Sequence, residues 1–308
     1  MLRRYRIVEG KLQENGAEDA PVLVYANPSD EEKKQLIEGF RIDEHTLASA
    51  LDPDELGRLE FEEDHVAIIF KRPKNYSSAD NFLFKVWSYG LFLFPNRLVI
   101  VRTEDVQTFD SRHFTKLKTP LDVALRVLSR TTTHFVDHIK GINVIAGELE
   151  QKISESMENR YLLNMFTLEK SLVYYLYGIN ANGVVIEKLK MNASKIGFTI
   201  ENLEFLDDLI IENNQCYRQA EVLSGILSSL MDARASIVSN NLNVLIKTLN
   251  IITILIMVPT LVVSVFSMNV SLPFGESGSR HWLPFWIIMA IAALSVVGLL
   301  TYWRRKKW

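Results

Sequence analysis

The sequence predicts an α+β membrane protein: an N-terminal cytosolic α/β domain, then a long helical stalk continuous with the first of two C-terminal transmembrane helices. Three observations carry this. Short strand-like runs crowd the first hundred residues, helical periodicity replaces them after Thr119-Pro120, and two apolar runs without charge occupy the last quarter. The expected segments are 1–118 for the α/β domain, 119–242 for the helical stalk region, 243–267 for the first span, 268–281 for an external loop, 282–303 for the second span and 304–308 for a basic tail.

Composition narrows the class. A chain of 308 residues with 48% hydrophobic content and net charge −3 suits one soluble domain plus membrane segments. No basic excess points to nucleic acid, so none is expected as a partner. The single cysteine, Cys216, rules out an intrachain disulfide and a Cys-rich metal cluster, and it is read as a packing residue. There is no Gly-rich phosphate loop, nucleophile elbow or His-Glu-x-x-His helix, so an enzyme is not expected.

In chain order, MLRRYRIVEG lacks the apolar core of a signal peptide, which leaves about 240 residues before the first span in the cytosol. Strands are predicted at Pro21–Tyr25, His65–Lys71, Asn81–Trp87, Tyr89–Phe94 and Leu98–Arg102, with Pro95-Asn96-Arg97 as the turn between the last two. Ser29, followed by Asp30, Glu31 and Glu32, opens one helix, and Ile42-Asp43-Glu44 begins a second. Beyond Pro120 the spacing predicts helices over Leu121–Ile139 and Ile145–Tyr177, separated around Gly141. Thr199 caps a further helix that meets no proline until Pro259, about 90–100 Å at 1.5 Å per residue. Gly225 is a weak point within it, worth about 1 kcal/mol relative to alanine.

Two polar clusters lie on these helices. His134 and His138 sit one turn apart around Asp137 and are read as a solvated face, with a metal-holding pair as the alternative. Glu204, Asp208 and Glu212 form an i, i+4, i+8 acidic row, with Asp232 further along. Such a row is either a wet face or a set of like charges that a bound cation would relieve, since neighbours repel by a few tenths of a kcal/mol.

Asn250–Phe266 and Trp282–Trp303 each have about the length that a hydrocarbon core requires. Each central Leu, Ile, Val or Phe favours insertion by about 0.3–0.6 kcal/mol, and neither run contains an acid or base that would cost about 3. Arg304, Arg305, Lys306 and Lys307 follow the second span, whereas the loop Met268–His281 carries only Arg280, so both termini are expected in the cytoplasm. Asn243, Ile246, Asn250, Thr253, Met257, Thr260, Ser264 and Ser267 recur at alternating steps of three and four, which keeps them on one stripe. Small and hydroxylated residues also suit a dry helix seam. Two asparagines aligned with hydroxyls over several turns favour a water-lined pathway instead. Two spans cannot enclose a pore, so several copies must assemble about an axis.

At the outer end of the first span stands Phe266-Ser267-Met268-Asn269, followed by a loop with Pro273 and Glu276, the second span and the tail Lys306-Lys307-Trp308. This resembles the CorA family of divalent-cation transporters, whose signature there is Gly-Met-Asn. Ser239-Asn240-Asn241-Leu242-Asn243, Met257-Val258-Pro259-Thr260-Leu261 and the hairpin GLFLFPNRLVIV are similar too. The likeness covers the whole chain in layout and is specific from about Asp232 onward. Ser267 departs from the family's glycine.

The resemblance implies a homopentamer in the cell membrane, embedded in lipid and multi-pass. Its cargo would be a divalent cation, magnesium foremost, with cobalt, nickel or zinc as further possibilities. It implies that Ser267, Met268 and Asn269 form the ion-selectivity motif. It also places Asp208 at a cytosolic regulatory magnesium site and Asp232 near the inner mouth; Glu204 and Glu212 of the same acidic row are candidate ligands beside Asp208, and the resemblance does not identify the N-terminal acidic partner, for which Asp80 is taken as a candidate. A non-conducting relative serving as a membrane sensor or scaffold is the alternative.

Overall fold

The computed structural model describes every residue except 106–108, 110–112, 156–158, 269–281 and 306–308. The chain divides into two compact units, Met1–Met231 and Asp232–Trp308.

The first unit is built on a seven-stranded sheet. Its strands are β1 (Leu2–Val8), β2 (Lys11–Glu14), β3 (Val22–Ala26), β4 (Arg58–Phe61), β5 (Val66–Pro73), β6 (Val86–Phe94) and β7 (Arg97–Arg102), in the spatial order β2-β1-β3-β7-β6-β5-β4. Only β3 and β7 run parallel, pairing Val22 with Leu98 and Tyr25 with Val101. Helices cover both faces, which explains why β3 reads as an unbroken apolar run with every residue buried. Period two still sorts the side chains: Val22 and Val24 enter one core, Leu23 and Tyr25 the other.

Helices α1 (Asp30–Phe40) and α2 (Glu44–Leu51) line the second of these cores through Leu36, Leu47 and Ala50. Each begins where its cap residue dictates. The Ser29 hydroxyl accepts from the Glu32 N–H while the Glu32 carboxylate accepts from the Ser29 N–H, and Asp43 accepts from Thr46. α2 lies so close to the sheet that a Cβ on Gly90 would come within 2.7 Å of the Ala50 Cβ.

The opposite face carries α3 (Pro120–Glu155), α4 (Asn159–Met191), the short α5 (Ala193–Ile196) and the start of α6 (Ile200–Phe266). The expected break at Gly141 is absent, because α3 passes through it. A single helical glycine costs about 1 kcal/mol. Phe135, Ile139, Ile142, Ala146, Leu149 and Ile153, buried at alternating steps of four and three, hold the helix together across it. α4 likewise outruns the predicted end at Tyr177. Thr199 caps α6 as expected, its hydroxyl accepting from the Asn202 N–H at 3.2 Å. The helix runs 67 residues without a break at Gly225 or at Pro259. In the first unit it buries Asn202, Leu206, Leu209, Asn213, Cys216, Ala220, Leu223 and Leu227, a heptad seam. Burial pushes the Cys216 thiol up to about 12, so the cysteine is packing.

Two sequence expectations fail locally. The strand foreseen at Asn81–Trp87 begins only at Val86, since Asn81 and Phe82 adopt positive φ after a 3-10 turn at Ser78–Asp80. The sequence does not signal strands β1, β2 and β4, because Arg3, Arg4 and Arg6 interrupt any apolar alternation in β1 and the other two have four residues each.

Gly90 and Gly141 supply opposite tests of this packing. Gly90→Ala should destabilise by about 1–3 kcal/mol, because the Ala50 Cβ cannot rotate out of the way. Gly141→Ala meets open space and should stabilise by about 0.4–1 kcal/mol. Melting temperatures of the two variants in detergent should move in opposite directions.

Candidate ion pathway and regulatory residues

The second unit consists of α6 from Asp232 onward and α7 (Trp282–Arg305), and both helices are long and apolar enough to cross a membrane. Between Asn250 and Phe266 the half-buried residues of α6 are Ile251, Leu255, Val258, Pro259, Val262 and Phe266. On α7 the covered positions among the described residues are Ile287, Ile288, Ala292, Ser295, Val296, Leu299 and Trp303, and all but Ile287 share one face.

All eight positions of the polar stripe, Asn243, Ile246, Asn250, Thr253, Met257, Thr260, Ser264 and Ser267, are exposed. At 100° per residue, the centre of the stripe and the centre of the half-buried set lie about 170° apart. The intrachain seam is therefore apolar, and the polar face points away from it. Hydroxyls on the stripe also tend the backbone: Thr253 donates to the Leu249 carbonyl at 2.9 Å and Thr260 to Ile256 at 2.7 Å. The second of these lies beside Pro259, which has no N–H to give.

Ser267 continues the turn beyond α6. Its N–H reaches the Val263 and Ser264 carbonyls at 3.0 and 3.2 Å, and its Oγ donates to Ser264 at 2.8 Å. Its φ is not positive. Met268 is exposed. Asn269, the loop residues Pro273, Glu276 and Arg280, and the tail residues Lys306 and Lys307 lie outside the described residues.

In the first unit, Glu204, Asp208 and Glu212 are exposed on α6; in the second, so is Asp232. Among the described residues no group of three or more His, Cys, Asp or Glu side chains could hold a metal ion. Divalent ions of this kind take six or more oxygen ligands, so a carboxylate here needs water or a second chain to complete a site. Asp80 is engaged locally. It accepts from Lys74 at 2.9 Å and from the Ser77 N–H and hydroxyl at 2.9 and 2.8 Å, which pull its carboxyl down to about 2.

His134 and His138 are half-buried rather than a solvated face, and among the described residues they belong to no group of three or more metal-ligating side chains. The rings stack edge to face at 4.3 Å, and His138 Nδ1 lies 2.6 Å from the Tyr175 hydroxyl within a cluster of Phe84, Phe135 and Tyr175. Burial drives His134 down to about 3, helped by its neighbours His138, Arg130 and Arg72, and drives His138 down to about 4.

An α/β unit carried on a long helix that continues as the first of two membrane-length helices defines the class of protein. The chain belongs to the CorA-like Mg2+ transporter protein family, whose model matches residues 23–305. It is 26% identical, over 98% of its length and 96% of the relative's, to the cobalt/magnesium transport protein CorA of Methanocaldococcus jannaschii. The complete structure of the CorA magnesium transporter from that organism superposes with a TM-score of 0.81 at 23% identity, covering 99% of this chain and 96% of that one. Full-length CmaX shares the fold at a TM-score of 0.74 with 15% identity, over 99% and 97% of the two chains.

The histidine pair predicts an acid-sensitive first unit. Both rings stay neutral when folded, whereas the unfolded chain takes up their protons below about 6.5. Stability should therefore be level above 6.5 and fall between 6.5 and 4. Melting temperatures across that range should show a shallower decline in His134→Leu than in the parent chain.

Proposed function

We propose that the protein is a CorA-type channel that carries divalent metal cations into the cell down the electrochemical gradient. Magnesium is the leading cargo, followed by cobalt, with nickel and zinc behind. One observation carries the reading: the polar stripe of α6 lies exposed on the face opposite the α7 seam, as a helix must if copies are to turn that stripe toward a common axis. Membership of the family and likeness to a cobalt/magnesium transport protein support the choice of cargo. No coupling site is needed, since a doubly charged ion moving inward gains about 4.6 kcal/mol per 100 mV.

In this reading five copies assemble in the cell membrane with both termini cytoplasmic. Asn243, Ile246, Asn250, Thr253, Met257, Thr260 and Ser264 line the pathway, while Ser267, Met268 and Asn269 form the outer selectivity motif. Magnesium sheds water reluctantly, so a ring of Asn269 amide oxygens would hydrogen-bond the hydrated ion rather than strip it. Asp208, with Glu204 and Glu212 beside it, would bind a cytosolic regulatory ion shared with a neighbouring copy, and Asp232 would stand near the inner mouth. Ser267 in place of glycine favours a second reading, a non-conducting membrane sensor.

Flux into liposomes decides between the two. The parent chain should conduct, Asn269→Ala should lower magnesium flux at least about tenfold, and Thr260→Phe should block it. Ile252→Phe, off the stripe, should conduct nearly as the parent does. Absence of any divalent flux in the parent chain would favour the sensor, and equal losses at Thr260 and Ile252 would mean that the stripe only packs.

Regulation is tested separately. Asp208→Asn should raise the internal magnesium concentration needed for half-inhibition several-fold while leaving maximal flux intact. An unchanged inhibition curve removes Asp208 from the regulatory site.

A further inference from the structure

Helix α4 is apolar on two opposite sides. One side carries Leu168, Leu172 and Tyr175 into the core of the first unit. On the other, Leu163, Phe166, Val173, Tyr177, Val184 and Met191 recur on a heptad whose remaining places are Lys170, Asn180 and Glu187, and these six are 44–83% exposed. A helix that is apolar all round belongs in an interior. The six side chains leave about 700 Å2 uncovered, more than the largest patch of a typical monomer, about 300–600 Å2, and near the share of about 800 Å2 that one partner brings to a stable interface.

Direction and charge select what covers the stripe. α6 enters its membrane-length segment without a break, so copies that share a membrane point the same way. Pairing α4 with α4 would then be parallel and would set Lys170 on Lys170 and Glu187 on Glu187 of the second copy, like charge on like. The exposed face of α6 is the better match. Opposite its buried seam stand Ile211, Arg218 and Val222, all exposed. Around them α6 exposes the acids Glu201, Glu204, Asp207, Asp208, Glu212 and Glu221, whereas α4 exposes Arg160, Lys170, Lys188 and Lys190 against Glu187 alone. The two faces are complementary in sign.

Their levels agree as well. Within one chain α4 and α6 run antiparallel, tied by the Asn213 amide, which donates to the Ile179 carbonyl at 3.1 Å, and by the ion pair of Lys190 with Asp207. This sets Val184 level with Ile211, Tyr177 with Arg218 and Val173 with Val222. Rotation about an axis through the membrane preserves level, so α4 of one copy brings the same pairs to α6 of the next: two apolar contacts with an arginine and a tyrosine ring between them.

We infer that the exposed stripe of α4 docks on the exposed face of α6 of the next copy, a head-to-tail contact that repeats around a ring. The contact rests on the reading that several copies assemble.

Disulfide cross-linking of the full chain in detergent, carrying Val184→Cys together with Ile211→Cys, tests it. The native thiol, Cys216, is fully buried and stays out of the reaction. Oxidation should give a ladder of dimers, trimers and larger products on denaturing gels, because each copy is joined to two neighbours, and neither single substitution should give dimers. Adding Tyr177→Asp should cut the ladder about fivefold or more. That tyrosine is half exposed, so its replacement spares the core. A full chain that is monomeric by light scattering would overturn the assembly and this contact with it. An oligomer whose double variant yields no ladder, a ladder that Tyr177→Asp leaves unchanged, or dimers from Val184→Cys alone would overturn the contact and leave the assembly standing.

Discussion

The constraint on which the structure depends is that α6 must satisfy its own backbone over 67 residues while meeting different surroundings along the way. Within a bilayer no water is available for free N–H and C=O groups, so a spanning segment stays helical or closes into a barrel. Pro259 breaks that rule locally, since it brings no N–H for the Leu255 carbonyl, and one residue on the Thr260 hydroxyl donates to the Ile256 carbonyl. With the backbone fixed, side chains alone decide what each face does. In the first unit α6 turns a heptad seam into the helical core; in the second it sets an apolar face against α7 and leaves the polar face uncovered.

Buried polar side chains join the helices of the first unit to its sheet. β4 covers only the first half of β5, pairing Val66 through Ile69, so the strand beyond has free backbone groups on that edge. Asn182 fills the place of the absent strand at Lys71. Ser171 does similar work by accepting from the Phe84 N–H at 2.9 Å. The Asn213 amide of α6 donates to the Ile179 carbonyl of α4, an approach that Gly183 permits: a Cβ there would sit 3.0 Å from that nitrogen. Each is a long-range bond whose loss would leave a buried polar group unpaired at about 1–3 kcal/mol.

How much of this was legible in the sequence follows from which signals are local. The caps at Ser29, Asp43 and Thr199 act within three residues, so the sequence marks those helix starts correctly. Strands β3, β5 and β7 announce themselves as apolar runs because both faces of the sheet are covered. The break misplaced at Gly141 shows the limit: a glycine costs a fixed small amount, and what outweighs it is burial against α4, which no local pattern reports. Strand β1 is hidden for the same reason, since its arginines pair across the fold, Arg3 with Asp105 and Arg6 with Asp19. The polar stripe was legible because period alone defines it. The histidine pair looks solvated in sequence because the groups that cover it, Phe84 and Tyr175, are distant along the chain.

Ser267 stands where the resemblance read from the sequence expects glycine, and the local geometry limits what a serine costs there. Glycine is needed where φ is positive or where a Cβ would collide. Ser267 meets the first condition in neither sense: its φ is not positive, and its N–H still reaches back to Val263 and Ser264. A helix end also leaves its last carbonyls without intrahelical partners, and the Ser267 hydroxyl satisfies that of Ser264, which a glycine could not do through a side chain. The serine therefore extends the helical hydrogen bonding up to the start of the motif without left-handed strain. It also places its oxygen at the last position of the exposed stripe, in register with Ser264 and Thr260, so the stripe, with Ile246 and Met257 as its two apolar positions, runs from Asn243 to the threshold of Met268.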